Sequence, residues 1–114
     1  MLKVLIADDE EKICQLIIKL INWEEMGLKI AATASNGIEA LEQAKICKPE
    51  ILITDIRMPG IDGMELIRKV KEKLPDTEII IISGYRHFEY AQTAIRYGVR
   101  NYLLKPIKKA MSLT

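Results

Sequence analysis

Glu78-Ile79-Ile80-Ile81-Ile82-Ser83 places four isoleucines in succession between polar ends. A strand with one wet face would alternate apolar and polar residues, so an unbroken β-branched run predicts a strand covered on both faces, as in a parallel sheet between helices. Working outward, four further short apolar runs read as strands: Leu2–Ala7, Leu28–Ala34, Ile51–Thr54 and Val99–Leu104. The segments between them carry helical spacing: Ile13, Leu16/Ile17 and Leu20/Ile21; Ile38, Leu41 and Ala44; Met64, Ile67, Val70 and Leu74; Phe88, Ala91 and Ile95. Asn36 with Glu39 and Asp62 with Glu65 have the spacing of helix N-terminal caps, and Pro49, Pro75 and Gly98 sit where helices should have stopped. Strict alternation of strand and helix predicts an open parallel α/β sheet, although periodicity leaves the strand order open.

The chain has 114 residues, 49% of them hydrophobic, which is enough for one core and one domain over 1–114. Seventeen basic and 16 acidic residues nearly cancel, so no overall field favours a phosphate backbone or an anionic membrane. No repeat, low-complexity tract or linker interrupts the chain. Cys14 and Cys47 lie far apart within helical patterns and match no metal or redox spacing, which predicts reduced thiols and a cytoplasmic setting. The apolar N-terminal run ends by Asp8, too short for a signal peptide or a membrane span.

In open α/β sheets, ligands bind beyond the carboxyl ends of the strands. There the first strand runs into Asp8-Asp9-Glu10-Glu11, the third into Asp55, the fourth ends at Ser83 and the fifth runs into Lys105. If the first and third strands are neighbours, three aspartates converge, and like charges so close are costly unless a cation sits among them. Oxygen donors without histidine or thiolate favour Mg²⁺ or Mn²⁺. Carboxylates, a hydroxyl and an ammonium on one rim form a cradle for a phosphoryl group, whose transfer needs mainly positioning and charge neutralisation.

Singly, each residue has an ordinary use. Asp8 and Asp9 could cap the first helix, Asp55 could enter a turn through Ile56-Arg57-Met58-Pro59-Gly60, and Ser83-Gly84 and Lys105-Pro106 could be plain strand ends. Unrelated ordinary uses do not predict a suitable group at the end of four strands, and that joint placement favours a shared site. His87 has no second ligand nearby and reads as a surface residue, while Trp23 reads as a packing anchor between the first helix and second strand.

Four segments in order, Asp8-Asp9, Thr54-Asp55-Ile56-Arg57-Met58-Pro59-Gly60-Ile61-Asp62-Gly63, Ser83-Gly84 and Tyr102-Leu103-Leu104-Lys105-Pro106, closely resemble the response-regulator receiver domains of two-component systems. The resemblance covers nearly the whole chain. It implies a flavodoxin-like, doubly wound (βα)5 fold with strand order 2-1-3-4-5, which makes the first and third strands neighbours. By the same resemblance Asp55 accepts a phosphoryl group from a phosphohistidine on a sensor histidine kinase. Asp9 binds Mg²⁺ directly, Asp8 helps through water, Asp55 shares the ion and the Arg57 backbone carbonyl completes the protein ligands. Ser83 and Lys105 hold phosphoryl oxygens, the Lys105–Pro106 bond is cis, and Ser83 and Tyr102 form the switch.

Gly84-Tyr85-Arg86-His87-Phe88-Glu89-Tyr90-Ala91 and Asn22–Gly27 look like receivers joined to AraC-type helix-turn-helix output domains. Only eight residues follow Pro106, where the family has a full fifth helix, so the last helix is expected to be truncated and DNA to be read only through an output domain outside the chain. The expected homodimer face combines the fourth helix, fifth strand and fifth helix, with Tyr90, Arg96, Tyr97 and Arg100. Two other classes share the fold logic. A metal-dependent phosphatase would carry a second aspartate two positions after Asp55, where this chain has Arg57; a flavodoxin-type cofactor binder would not place acids in its first loop. The domain is expected to be a phospho-acceptor that assists its own phosphorylation and dephosphorylation rather than an enzyme acting on other molecules.

Overall fold

The computed structural model describes residues 1–83, 96, 98 and 100–104, with the backbone alone at Ser83 and 101–104. The elements run β1 (Leu2–Ala7), α1 (Glu11–Leu20), β2 (Leu28–Ala34), α2 (Gly37–Cys47), β3 (Ile51–Thr54), α3 (Gly63–Lys73), β4 (Glu78–Ser83) and β5 (Asn101–Leu104). The five strands form one sheet in the order β2-β1-β3-β4-β5, and every neighbouring pair is parallel. This is the doubly wound, flavodoxin-like order that the family resemblance implies. The expected fifth helix, the expected fourth apart from Arg96, and His87 lie outside the described residues.

The isoleucine run behaves as its lack of alternation predicts. Ile79 and Ile81 face one core with Leu5, Leu52, Ala40, Ala44, Leu66, Ile67 and Val70, so α2 and α3 cover that side. Ile80 and Ile82 face a second core with Val4, Ile6, Ile53, Cys14, Ile17 and Trp23, beneath α1. Strand β2, at the sheet edge, instead alternates between buried and exposed positions, because α1 and α2 leave its middle partly open to water. The register of the β1–β2 ladder shifts by one residue between Val4 and Leu5.

Two helical stripes differ from the sequence reading. On α1 the buried residues are Cys14 and Ile17, and Leu16 points outward. On α2 the packed face is Gly37, Ala40 and Ala44, with Leu41 at its border, while Ile38 is 54% exposed. Small residues occupy that face because the helix approaches its neighbours too closely for larger ones: a Cβ at Gly37 would overlap the carbonyl of Ile61. Strand β5 begins at Asn101, with the Arg100 amide already donating to the Ile79 carbonyl at 2.8 Å.

The caps match. Asn36 Oδ1 accepts from the Glu39 amide, and Asp62 Oδ1 accepts from the Glu65 amide. Helix α2 stops at Lys48, whose left-handed backbone turns the chain just before Pro49. Trp23 anchors α1 to β2, its indole N–H donating to the Ile18 carbonyl at 3.2 Å within the α1-side core. Cys14 and Cys47 remain thiols; burial pushes the Cys47 thiol up, opposed by the positive charge of Lys3.

Candidate functional site

The acidic rim is built by strand pairing. Ala7 of β1 faces Thr54 of β3, and the Asp55 amide donates to the Ala7 carbonyl at 3.0 Å, so Asp8 and Asp55 leave adjacent strands side by side. The Asp8 amide in turn donates to Ala34 at the end of β2. Three strand ends are thereby tied together at one point. Both carboxyl groups are buried, with Asp8 3% and Asp55 4% exposed.

Asp8 then turns the chain. Its Oδ1 accepts from the Glu10 amide at 2.9 Å, which brings Asp9 and Glu10 back over the strand ends. Helix α1 starts at Glu11 with Glu10 in the cap position and no cap bond from its side chain. One carboxylate oxygen from each of Asp8, Asp9, Glu10 and Asp55 lies within 4.8 Å of the others. Two unit charges about 4 Å apart repel by about 4 kcal/mol at an effective dielectric of about 20. A set of carboxylates held so close, with no imidazole or thiolate in it, fits a hard divalent cation.

Asp55 is held on several sides. Its Oδ1 accepts from the Ile56 amide at 2.6 Å, and the Thr54 hydroxyl donates to its backbone carbonyl at 2.8 Å. The Gly63 amide donates to Ile56 at 2.6 Å, and a Cβ on Gly63 would collide with the Asp55 carbonyl. The first residue of α3 therefore packs directly against the Asp55 backbone, an approach that only glycine permits.

The structure brings together Asp8, Asp9 and Asp55 as the sequence predicts, and places Arg57, exposed, in the loop just after Asp55. Strand β4 ends at Ser83, whose register partner is Leu104; Tyr102 pairs with Ile81. The side chains of Ser83 and Tyr102, and Lys105, Pro106, Tyr90 and Tyr97 entirely, lie outside the described residues. Arg96 and Arg100 are exposed, and Arg100 pairs with Glu78 at 3.8 Å. Sequence reading missed Glu10 as a member of the cluster, and the packing roles of Gly63 and Gly37. The signals were there, in the acid directly after Asp9 and in glycines directly following cap residues, but only the folded chain shows what those glycines touch.

The family model described as response regulator receiver domain matches residues 4–113. The chain belongs to this family. It is 47% identical over 106 residues to the uncharacterized transcriptional regulatory protein YesN of Bacillus subtilis, covering 93% of this chain and 29% of that protein. It is 40% identical over 110 residues to the transcriptional regulatory protein HptR of Staphylococcus aureus, covering 96% of this chain and 43% of the relative. This receiver domain thus spans less than half the length of these curated relatives. Among solved structures it resembles the receiver domain of AraT, a response regulator from Geobacillus stearothermophilus, at 45% identity and a TM-score of 0.90, covering 95% of this chain and 84% of that one. A chain of the CheX–CheY–BeF3–Mg²⁺ complex from Borrelia burgdorferi superposes with a TM-score of 0.87 at 25% identity, covering 96% and 81%. Among the described residues no helix is long and apolar enough to cross a membrane.

Proposed function

We propose that this receiver takes a phosphoryl group on the carboxylate of Asp55 from a phosphohistidine of a sensor histidine kinase. The observation that carries the reading is the burial of Asp55 at the end of β3 within 4.8 Å of three other carboxylates. An Asp55 oxygen attacks phosphorus, the phosphorus–nitrogen bond to histidine breaks, and the leaving imidazole keeps the bonding pair. The product is an acyl phosphate. Asp55 is oriented for this by the Ile56 amide on Oδ1 and by backbone bonds to Ala7 and from Thr54, so little reorganisation separates the resting and reacting geometries.

Asp8, Asp9, Asp55 and the Arg57 backbone carbonyl would hold Mg²⁺, with Glu10 close by, and the bound ion would supply positive charge to offset that of the phosphoryl oxygens. Ser83 and Lys105 complete the cradle from β4 and β5, with a cis Lys105–Pro106 bond aiming the lysine, and Ser83 and Tyr102 pass the change to the face carrying Arg96 and Arg100. The support is family membership together with the placement of Ser83 and Leu104 as partners at the carboxyl rim. The domain is a phospho-acceptor rather than an enzyme with separate substrates. In a longer cytoplasmic protein, phosphorylation would shift an existing equilibrium toward a dimer that sets two AraC-type helix-turn-helix domains on paired DNA half-sites.

Intact-mass measurement after incubation with phosphoramidate and Mg²⁺ tests the central step. One phosphoryl group per chain, mapped to Asp55 and lost in EDTA, is expected. Phosphate on another residue, or undiminished labelling without a divalent cation, would overturn it.

A further inference from the structure

The loop from Asp55 to Asp62 carries Arg57, and it is fastened from two sides. At its start the Gly63 amide holds the Ile56 carbonyl. At its far side the fastening comes from α2, an element with no residue in the acidic cluster. The Gly37 amide points at the Pro59 carbonyl, at 3.4 Å, and Gly37 sits so close to Ile61 that any Cβ would overlap its carbonyl and Cγ1. Gly37 is not among the positive-φ glycines, so space rather than backbone conformation excludes a side chain there. Glycine is also a poor helix former, which makes its use in the first turn of α2 a local cost offset by the close approach.

Ile38 adds a second contact. A Cβ at Gly60 would lie 3.2 Å from Cγ1 and Cδ1 of Ile38, so that side chain rests on the Gly60 turn, whose φ of +83° needs glycine. Ile38 is otherwise 54% exposed, and core burial does not account for an isoleucine at that place.

We propose that Gly37 and Ile38 are positioning residues for the cation site, holding the loop that presents the Arg57 carbonyl. The inference rests on Arg57 as a ligand, as put forward above. Neither residue touches the reacting atoms. Loss of a group that orients a metal ligand typically weakens metal binding by about 10–100-fold.

Isothermal titration of Mg²⁺ into the chain without phosphodonor tests this directly. Gly37→Ala should weaken Mg²⁺ binding roughly tenfold, and labelling by phosphoramidate should recover at saturating Mg²⁺. Ile38→Ala should shift Mg²⁺ affinity in the same direction, and it carries the test if Gly37→Ala does not fold. Ala44→Gly, which loosens the same helix away from the loop, should keep wild-type Mg²⁺ affinity. Wild-type Mg²⁺ affinity in folded Gly37→Ala or, failing that variant, in Ile38→Ala, or an equal loss in Ala44→Gly, would overturn the positioning role while leaving Asp55 as acceptor. Wild-type protein that neither binds Mg²⁺ nor labels at Asp55 would overturn both readings.

Discussion

The amide of Asp55 donates to the carbonyl of Ala7 at 3.0 Å, one residue past the last paired positions of β3 and β1. That bond continues the sheet ladder by one step beyond the strands. It brings the Asp55 and Asp8 side chains to the same rim, both almost fully buried. The sheet thus stabilises an arrangement that charge alone would oppose, and a cation of suitable hardness would relieve the opposition.

Divalent cation should therefore stabilise the fold, and more so in the wild type than in Asp55→Asn. A ligand that binds only the folded state at a hundredfold excess over its Kd contributes about 2.7 kcal/mol. Thermal melts in Mg²⁺ and in EDTA are expected to separate for the wild type and to converge for Asp55→Asn. Equal separation in both proteins would remove Asp55 from the ligand set.

Gly63→Ala should disturb Asp55 from its backbone side. The new Cβ would meet the Asp55 carbonyl and Ile56 Cα, so either α3 retreats or the loop moves. Overpacking of this kind costs about 1–3 kcal/mol. Urea denaturation should show that loss, and the Asp55 amide resonance should shift in the folded variant. A variant as stable as the wild type with an unchanged resonance would show that the contact yields freely.

Much of this was legible beforehand for a physical reason. Ile79 to Ile82 lack any polar position, and a short β-branched run of that kind suits a strand buried on both faces. Asp8 and Asp55 follow strands, so once those strands pair, their convergence is settled by register. Strand order itself was not legible from periodicity, because alternation of elements is the same for every order; the family resemblance supplied it. The stripe of α2 was misread at Ile38, since spacing identifies a helix but not which side of it approaches closely. Gly37, Ala40 and Ala44 define that side, and small residues leave little hydrophobic signal. Glu10 joined the cluster through the turn at Asp8, which spacing does not reveal.

Two isoleucines separate the interior from the surface. Ile81 is fully buried in the core shared with α2 and α3, whereas Ile46 on α2 is 74% exposed. Ile81→Ala should destabilise by about 2–5 kcal/mol, the usual cost of a cavity left by a large aliphatic side chain. Ile46→Ala should stay within about 0.5 kcal/mol. Paired urea titrations with unchanged slopes check both, and similar midpoints for the two variants would contradict the assigned burial.

Acid should loosen α3 at its surface before it reaches the core. The Arg68 guanidinium bonds both oxygens of Glu65 and also meets Glu72, while Lys69 lies 3.8 Å from Glu65. The hydrogen bonds from Arg68, ahead of its charge and that of Lys69, hold the Glu65 carboxyl below its ordinary value of 4.5. Because the folded state lowers this pKa, the Glu65 contribution is complete above pH 4.5 and is lost as the pH falls through the lower folded value. Carboxyl chemical shifts followed from neutral pH downward should place the Glu65 midpoint below 4.5 in the wild type and return it toward 4.5 in Arg68→Ala. The stability difference between the two proteins should shrink over the same interval. A Glu65 midpoint unaffected by Arg68→Ala would mean that the pair is open in solution and that α3 is held by its buried face, Leu66, Ile67 and Val70, without help from these charges.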